Sequence, residues 1–278
     1  MRKLNVKEAL IEARENRRAI PAFNIFNYIS AQGVIEAANE MELPVILQTS
    51  TGTVKKFGIH AMIQMLKPLI DDSRQDVFLN LDHCTSLEFA KECADAGWDM
   101  VMFDGSKLTL EENITKSREM AEYASERGGF VEGELGTIAG VEEEIVAGES
   151  KLASLKECKI YLENSGIHIF APAVGTAHGM YHGVPKLNFD LVSQLRNYSD
   201  TPVVIHGGTG LSKEEFQTFI QNGACKINIS TAIKHAYLDG MDEYLRVHKN
   251  EYNPLDADEY VRNEIKEAAK KHMEMFRL

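Results

Sequence analysis

Short apolar runs alternate with amphipathic segments along the whole chain. A short apolar run bounded by glycine, proline or polar residues is typical of a buried parallel strand, and the segments between the runs have helical spacing. The pattern predicts eight strands, at residues 20–26, 44–50, 77–83, 100–104, 130–134, 168–174, 201–206 and 226–229. A helix is predicted before the first strand, at residues 5–17, and others between the strands, at residues 30–41, 59–70, 86–96 and 110–127, with Ser30 as the N-cap of the second helix.

Eight strand–helix units predict an α/β fold of the (β/α)8 TIM-barrel class. A doubly wound open sheet is the alternative, but the eighth strand and the missing Gly-x-Gly-x-x-Gly turn after the first strand disfavour it. We expect residues 1–278 to form a single domain, with C-terminal helices from about 243 to 278 packed outside the barrel or on a partner subunit. The long acidic segment 136–154 is expected to be a mobile functional loop.

Composition narrows the range of partners. The formal net charge of −12 argues against binding to nucleic acid or to an anionic membrane surface. No run approaches the roughly 20 apolar residues that span a bilayer, and the first residues lack the apolar core of a signal peptide. The four cysteines are scattered, so reduced thiols and a cytoplasmic location are expected.

Histidines at the predicted strand ends are the main chemical signal. In a TIM barrel the active site lies at the carboxyl ends of the strands, where the sequence has His83, His178 and His206. Three such histidines can bind one zinc ion and leave a position open for substrate. The other six histidines are interpreted as structural or surface residues, with His182 the nearest to this set.

A second signal is a set of glycines and hydroxyl residues after strands six, seven and eight. Loop N–H groups and a helix N-terminus at these strand ends often bind phosphate. The alternative is a tight glycine turn followed by a helix N-cap, but the neighbouring metal candidates favour phosphate. The candidate residues are Gly179, Gly207, Gly208, Thr209, Asn228, Ile229, Ser230 and Thr231.

The segments that carry these residues resemble the class II, zinc-dependent fructose-bisphosphate and tagatose-bisphosphate aldolases. The similarity runs from about residue 4 to about residue 240. It rests on Leu81-Asp82-His83, on Val131-Glu132-Gly133-Glu134-Leu135-Gly136, on Val174-Gly175-Thr176-Ala177-His178-Gly179, on His206-Gly207-Gly208-Thr209-Gly210 and on Lys226-Ile227-Asn228-Ile229-Ser230-Thr231.

The resemblance implies a role for each candidate. His83, His178 and His206 would hold Zn²⁺, with the carboxylates Glu134 and Asp104 as further candidate ligands or orienting groups. Asp82 would exchange a proton with the substrate hydroxyl. Glu142, or a neighbouring glutamate of the acidic segment, would move the proton at the carbon next to the ketone. Asn24 and Ser50, at the first two strand ends, would join the phosphate residues in binding substrate.

The implied reaction is reversible aldol cleavage of a phosphorylated ketose to dihydroxyacetone phosphate and an aldehyde through a zinc-stabilised enediolate. The family also implies a monovalent cation, Na⁺ or K⁺, near the phosphate, and a homodimer or homotetramer. The alternatives are a metal-assisted isomerase or decarboxylase of a phosphorylated sugar, or a metal-binding barrel without catalysis.

Two departures from the family leave the identity of the ketose open. Ser230 stands where many fructose-bisphosphate enzymes have aspartate, which favours the tagatose type, whereas Gly207-Gly208-Thr209 is less usual for that branch. The C-terminal region lacks the family's pattern around the arginine that binds the aldehyde-side phosphate. Arg262 and Arg277 are the candidate substitutes.

Overall fold

The computed structural model describes residues 4–142, 145–147, 152–179 and 185–277. Strands and helices alternate along these ranges. The strands are β1 (Ile20–Asn24), β2 (Val45–Ser50), β3 (Val77–Cys84), β4 (Met100–Phe103), β5 (Phe130–Leu135), β6 (Ala139–Glu142), β7 (Ile145–Ala147), β8 (Ile169–Pro172), β9 (Ala177–His178), β10 (Val203–Ile205) and β11 (Ala224–Ile229).

The helices alternate with the barrel strands and cover them. They are α1 (Val6–Glu15), α2 (Tyr28–Met41), α3 (Thr51–Phe57), α4 (Ile59–Asp71), α5 (Leu87–Ala96), α6 (Leu110–Ser125), α7 (Leu155–Ser165), α8 (Phe189–Tyr198), α9 (Lys213–Asn222), α10 (Thr231–Val247) and α11 (Pro254–Met275). Within the described ranges, none of these helices is both long and apolar enough to cross a bilayer.

Eight parallel strands close into a barrel in the order β1-β11-β10-β8-β5-β4-β3-β2. The predicted (β/α)8 TIM barrel is therefore confirmed. Parallel strands need crossover helices, and the amphipathic segments of the sequence supply them. All eight strands consequently end at the same face of the barrel.

The barrel interior is filled in layers. Its lowest layer is apolar and is closed from below by α1, which packs Val6, Ala9 and Leu10 against the inward side chains near the amino ends of the strands. The strand residues of this cluster are Ile20, Ala22, Ile46, Phe78, Met100, Ile169, Ala171, Val204 and Cys225. The amino end of the barrel interior is therefore lined by apolar side chains.

The N-cap of α2 differs from the prediction. Asn27, rather than Ser30, is the N-cap, and its side chain accepts a hydrogen bond from the Ser30 backbone N–H. The Ser30 hydroxyl in turn accepts a hydrogen bond from the backbone N–H of Asn27, which completes a capping box. Both residues are good caps, and the reciprocal pair starts the helix at the earlier one.

The acidic segment 136–154, expected to be a mobile functional loop, includes strands that the sequence pattern did not predict. It contains β6 and β7, which pair in antiparallel fashion, and β6 pairs in parallel with β9. The strands are three and four residues long. Such short strands give little periodic signal beside the charge run at residues 142–144.

The C-terminal helix α11 packs on the outside of the barrel, against α2 and α10. Its residues Val261, Ile265, Ala269 and Met273 are buried in this contact. Gly33 of α2 permits close approach, because a Cβ at this position would lie 2.8 Å from the Arg262 carbonyl oxygen.

We expect Gly33→Ala to destabilise the protein although alanine favours helix. The methyl group would meet the α11 backbone, and overpacking of this kind costs about 1–3 kcal/mol against a propensity gain of about 1 kcal/mol. The matched control is Gly240→Ala in α10, whose nearest neighbour is the flexible Glu264 side chain at 3.1 Å. Urea unfolding should show a lower midpoint for G33A only. Equal midpoints for the two variants would contradict this packing of α11.

Candidate active site

Three buried side chains meet at the carboxyl ends of the barrel strands. His83 comes from β3 and Glu134 from β5, and His206 directly follows β10. The Nδ1 atom of His206 lies 3.1 Å from Nε2 of His83 and 3.4 Å from Oε2 of Glu134. These three residues could hold one metal ion between them.

Each of the two histidines turns its other ring nitrogen towards a carboxylate. His83 Nδ1 lies 3.0 Å from Asp104 Oδ2, and His206 Nε2 lies 2.7 Å from Glu132 Oε1. An ionised carboxylate only accepts hydrogen bonds, so these ring nitrogens donate. When both rings are neutral, the lone pairs are then on His83 Nε2 and His206 Nδ1, which face each other and could bind one cation between them. Carboxylate–histidine pairs of this kind are typical of metal ligands.

The carboxylates of the site have opposite pKa shifts. Burial raises the pKa of Asp104, but His83 and the Ser106 N–H outweigh it and hold that pKa well below its usual value. Burial and the nearby Asp104 charge raise the pKa of Glu134 well above its usual value. Its Oε2 atom is buried and accepts no hydrogen bond from any described residue. A cation beside Glu134 would satisfy that oxygen.

A bulge in β3 brings two consecutive residues to the site. Consecutive side chains of a regular strand point to opposite faces, but the register between β3 and β4 shifts between Leu81 and Cys84. Within this shift His83 has a φ of 48°, in the left-handed region. Asp82 and His83 are therefore both buried at the barrel mouth, 2% and 8% exposed. Asp82 Oδ2 accepts a hydrogen bond from Asn24 Nδ2 at 2.9 Å.

Two buried hydroxyl groups mark the region predicted to bind phosphate. Thr209 Oγ1 and Ser230 Oγ accept and donate no hydrogen bond within the described ranges. Ser230 occupies the N-cap position of α10, yet its side chain makes no capping hydrogen bond. Gly207 has a φ of 65°, and a Cβ there would lie 2.4 Å from the Ala177 carbonyl oxygen. Two hydroxyl groups that can still donate hydrogen bonds, next to a helix N-terminus, are suited to bind an anion.

Other predicted substrate-binding residues are already engaged. The Gly208 N–H donates to the Asn228 carbonyl oxygen at 3.2 Å. The Ile229 side chain is packed in the core, so only its backbone is available to a ligand. Ser50 caps α3 by accepting a hydrogen bond from the Thr53 N–H. Gly179 has a φ of 84°, and Thr231 is the first residue of α10.

Two predicted site residues lie on paired strands, but their side chains are outside the described part of the structure. His178 is in β9 and Glu142 is the last residue of β6. The two strands pair in parallel, with Ala139 opposite Ala177 and Gly140 opposite His178. His182 is likewise outside the described residues.

Neither candidate arginine lies at the carboxyl ends of the strands of its own subunit. Arg262 pairs with Glu36 and Glu259 in the outer helical layer. Arg277 bridges to Arg18, which precedes β1 at the opposite end of the barrel. Arg277 therefore lies near the amino ends of the strands in this subunit, away from His83 and His206, and its role as a phosphate ligand stays a prediction.

A layer of buried polar residues beneath the site was given no role by the sequence. Gln48, Asn80, Glu132 and Lys226 are each 0% exposed. They lie on β2, β3, β5 and β11, two residues along the strand from other inward-facing residues. Because side chains alternate between the two faces of a strand, this spacing indicates that they point into the barrel. Burial raises the pKa of Glu132, but Lys226 and His206 outweigh it and bring it to about 2.

Comparison with known proteins agrees with this geometry. The sequence profile of "Fructose-bisphosphate aldolase class-II" matches residues 4–278. The chain is 37% identical to a fructose-bisphosphate aldolase of Staphylococcus aureus over 276 residues, which cover 98% of this chain and 96% of the relative. It is also 37% identical to a fructose-bisphosphate aldolase of Geobacillus stearothermophilus, over 90% of this chain and 88% of the relative.

A solved structure extends the comparison to the fold. The crystal structure of the YdjI aldolase from Escherichia coli K12 matches with a TM-score of 0.85 at 27% identity, over 98% of this chain and 96% of that one. The chain therefore belongs to the class-II fructose-bisphosphate aldolase family, enzymes of aldol cleavage of a phosphorylated ketose.

Proposed function

We propose that this aldolase depends on zinc and releases dihydroxyacetone phosphate from its ketose substrate. The observation that carries the proposal is the 3.1 Å approach of His83 Nε2 to His206 Nδ1 beside Glu134, with the other nitrogen of each ring directed at a carboxylate. Buried imidazole and carboxylate donors suit zinc. His178, on β9, is the proposed third histidine.

The acid–base chemistry is assigned to Asp82 and Glu142. Bound zinc would supply a Lewis acid that stabilises negative charge on the substrate oxygens. Asp82 Oδ2 is held by Asn24, while its Oδ1 atom is buried and has no hydrogen-bond partner among the described residues. We infer that Oδ1 takes the proton of the substrate hydroxyl during cleavage. Glu142 is the proposed second proton-transfer residue, because β6 runs beside β9.

The phosphate of the three-carbon half is assigned to the loops after β9, β10 and β11. The buried Thr209 and Ser230 hydroxyls and the N-terminus of α10 support this assignment. Gly179 and Gly207 would allow backbone N–H groups to approach the phosphate. A Na⁺ or K⁺ ion near the phosphate stays a prediction from the family, to be tested by the salt dependence of the cleavage rate.

The aldehyde half of the substrate would extend towards a groove beside β1 and β2. Phe26, Thr53, Lys56, Lys234 and Tyr237 line this groove. We propose that the Lys56 and Lys234 ammonium groups bind an anionic group of the aldehyde there, because the two C-terminal arginines lie elsewhere. The family's reaction on a bisphosphate needs a cation at this end of the substrate.

The finer statements on assembly and location also remain proposals. Large apolar side chains are exposed on α10 and at the start of α11, including Leu238, Leu245 and Leu255. Exposed apolar surface of this kind can form part of a subunit interface, which supports the homodimer or homotetramer expected from the family. A cytoplasmic location is proposed because the four cysteines are scattered along the sequence, as expected for reduced thiols.

Removal of metal should abolish cleavage, and added zinc should restore it. Chelator treatment followed by a coupled assay of dihydroxyacetone phosphate measures both effects. Borohydride added with substrate should trap no adduct, because Lys226 Nζ in the barrel is held among acceptor oxygens rather than directed at substrate. Inactivation by borohydride would indicate a lysine Schiff base and sink the zinc proposal.

His206→Ala and Asp82→Ala should separate metal binding from proton transfer. H206A should lose zinc, measured as metal content after dialysis. D82A should keep zinc and lose about 10²- to 10⁴-fold in kcat, since it lacks the acid–base group. Turnover retained by D82A would exclude Asp82 as the base.

Lys56→Ala should change the substrate preference rather than the chemistry. We expect the KM for fructose or tagatose bisphosphate to rise about tenfold or more, as for loss of a contact between charged groups, and the KM for a ketose 1-phosphate to stay the same. The matched control is Lys55→Ala, because the Lys55 ammonium lies over the Phe89 ring instead. Equal effects of K56A on both substrate classes would contradict the assignment of the groove.

A further inference from the structure

Lys226 has no solvent exposure and lies inside the barrel directly beneath the site. Its Nζ atom is 2.7 Å from Asn228 Oδ1, 2.8 Å from Gln48 Oε1 and 2.9 Å from Glu132 Oε2. An ammonium group has three protons and no acceptor. Each partner must therefore turn an oxygen towards it. This requirement fixes the direction of every hydrogen bond that continues from those partners.

One branch leads to Asp82 through two amides. Gln48 turns Oε1 to Lys226, so its Nε2 faces Asn24 and donates to Oδ1 at 3.1 Å. Asn24 then turns its Nδ2 to Asp82 and donates to Oδ2 at 2.9 Å. An amide has its oxygen on one side and its NH₂ group on the other, so the direction set at Lys226 is passed on. The branch delivers an N–H donor to Asp82.

The second branch leads to His206 through one carboxylate. Glu132 turns Oε2 to Lys226 and Oε1 to His206 Nε2, at 2.9 and 2.7 Å. Since Glu132 Oε2 is ion-paired with Lys226 and an ionised carboxylate can only accept a hydrogen bond at Oε1, Nε2 carries the proton. Nδ1 is then the nitrogen with a lone pair, and it is the atom that faces His83 and Glu134.

We propose that Lys226 is a positioning residue that sets the polarity of both branches, and so fixes the His206 tautomer that binds metal and the hydrogen bond that orients Asp82. The inference rests on the proposed function, because it takes His206 as a zinc ligand and Asp82 as the base. A buried ion pair is no proof of a stability role, since apolar substitutes of similar size often serve as well. An apolar pair in place of Lys226 and Glu132 could not fix the direction of the neighbouring hydrogen bonds, whereas the ion pair does.

The test of the metal branch is a single variant and its rescue. In Glu132→Gln, Lys226 still requires the amide oxygen, so the new NH₂ group faces His206 Nε2 and drives the ring proton to Nδ1. Zinc affinity of the metal-free protein should fall about 10- to 100-fold, as for other lost partners of metal-binding histidines. Adding Lys226→Met frees the amide to turn its oxygen to His206. The double variant should regain most of the affinity.

Variants of this kind also distinguish the branch to Asp82 from the branch to His206, because the first should affect kcat and the second zinc affinity. The double variant E132Q/K226M should bind zinc but keep a low kcat. The Gln48 amide then keeps only Asn80 Nδ2 as a donor to its Oε1, and Asn80 Oδ1 has no partner among the described residues, so the direction of the Gln48 and Asn24 amides is no longer set by a charge. Gln48→Glu should leave zinc affinity within about threefold and lower kcat about tenfold or more, the effect of losing one hydrogen bond to a charged group. Thr49→Val is the control, since the Thr49 hydroxyl contacts Trp98 and a carbonyl and lies on neither branch.

Three measurements test the inference. Competition with a chelating dye gives the zinc affinity, and the coupled assay gives kcat. ¹⁵N NMR of the metal-free protein gives the His206 tautomer. Unchanged zinc affinity in E132Q, or a double variant that binds no better than E132Q, would overturn the inference. So would an Nε2-protonated His206 in E132Q. Absence of zinc binding in the unaltered protein would instead overturn the proposed function.

Discussion

Charged side chains buried inside the barrel must pair with one another. The active site at the carboxyl ends of the strands depends on how Lys226 and Glu132 are paired. Lys226 and Glu132 are both fully buried, and an unpaired buried ion costs several kcal/mol. The apolar layer beneath them, which α1 closes, offers them no polar partner. The ions are therefore satisfied only by each other and by neighbouring side chains. This constraint explains why a whole layer of polar residues accompanies them.

The positions of the site residues could be predicted largely from the sequence, because parallel strands bring their carboxyl ends together. Once eight strands were recognised, residues at their ends had to converge, and His83, Glu134 and His206 do so. The partners of these residues could not be predicted in the same way. Glu132 and Lys226 meet across the barrel, and single-strand patterns carry no information on which inward residues face each other.

Local geometry accounts for the remaining differences. Regular alternation places Asp82 and His83 on opposite faces of β3, and only the bulge with its positive φ brings both to the mouth. A backbone strained in this way costs about 1–3 kcal/mol. The residue type does not predict such a bulge, although histidine tolerates the left-handed region better than most residues. The capping box at Asn27 and the short strands β6 and β7 were likewise decided by contacts with neighbouring residues.

The pairing of β6 with β9 has a thermodynamic consequence. The two strands belong to the same small sheet, and one ends at Glu142 while the other ends at His178. A ligand that favours the paired form by binding at either strand also favours the other strand's position, and such coupling is reciprocal. Metal and substrate would then each tighten the binding of the other through backbone hydrogen bonds, without direct contact between them. With the proposed roles of His178 and Glu142, the sheet would make cooperativity between cofactor and substrate a property of the fold.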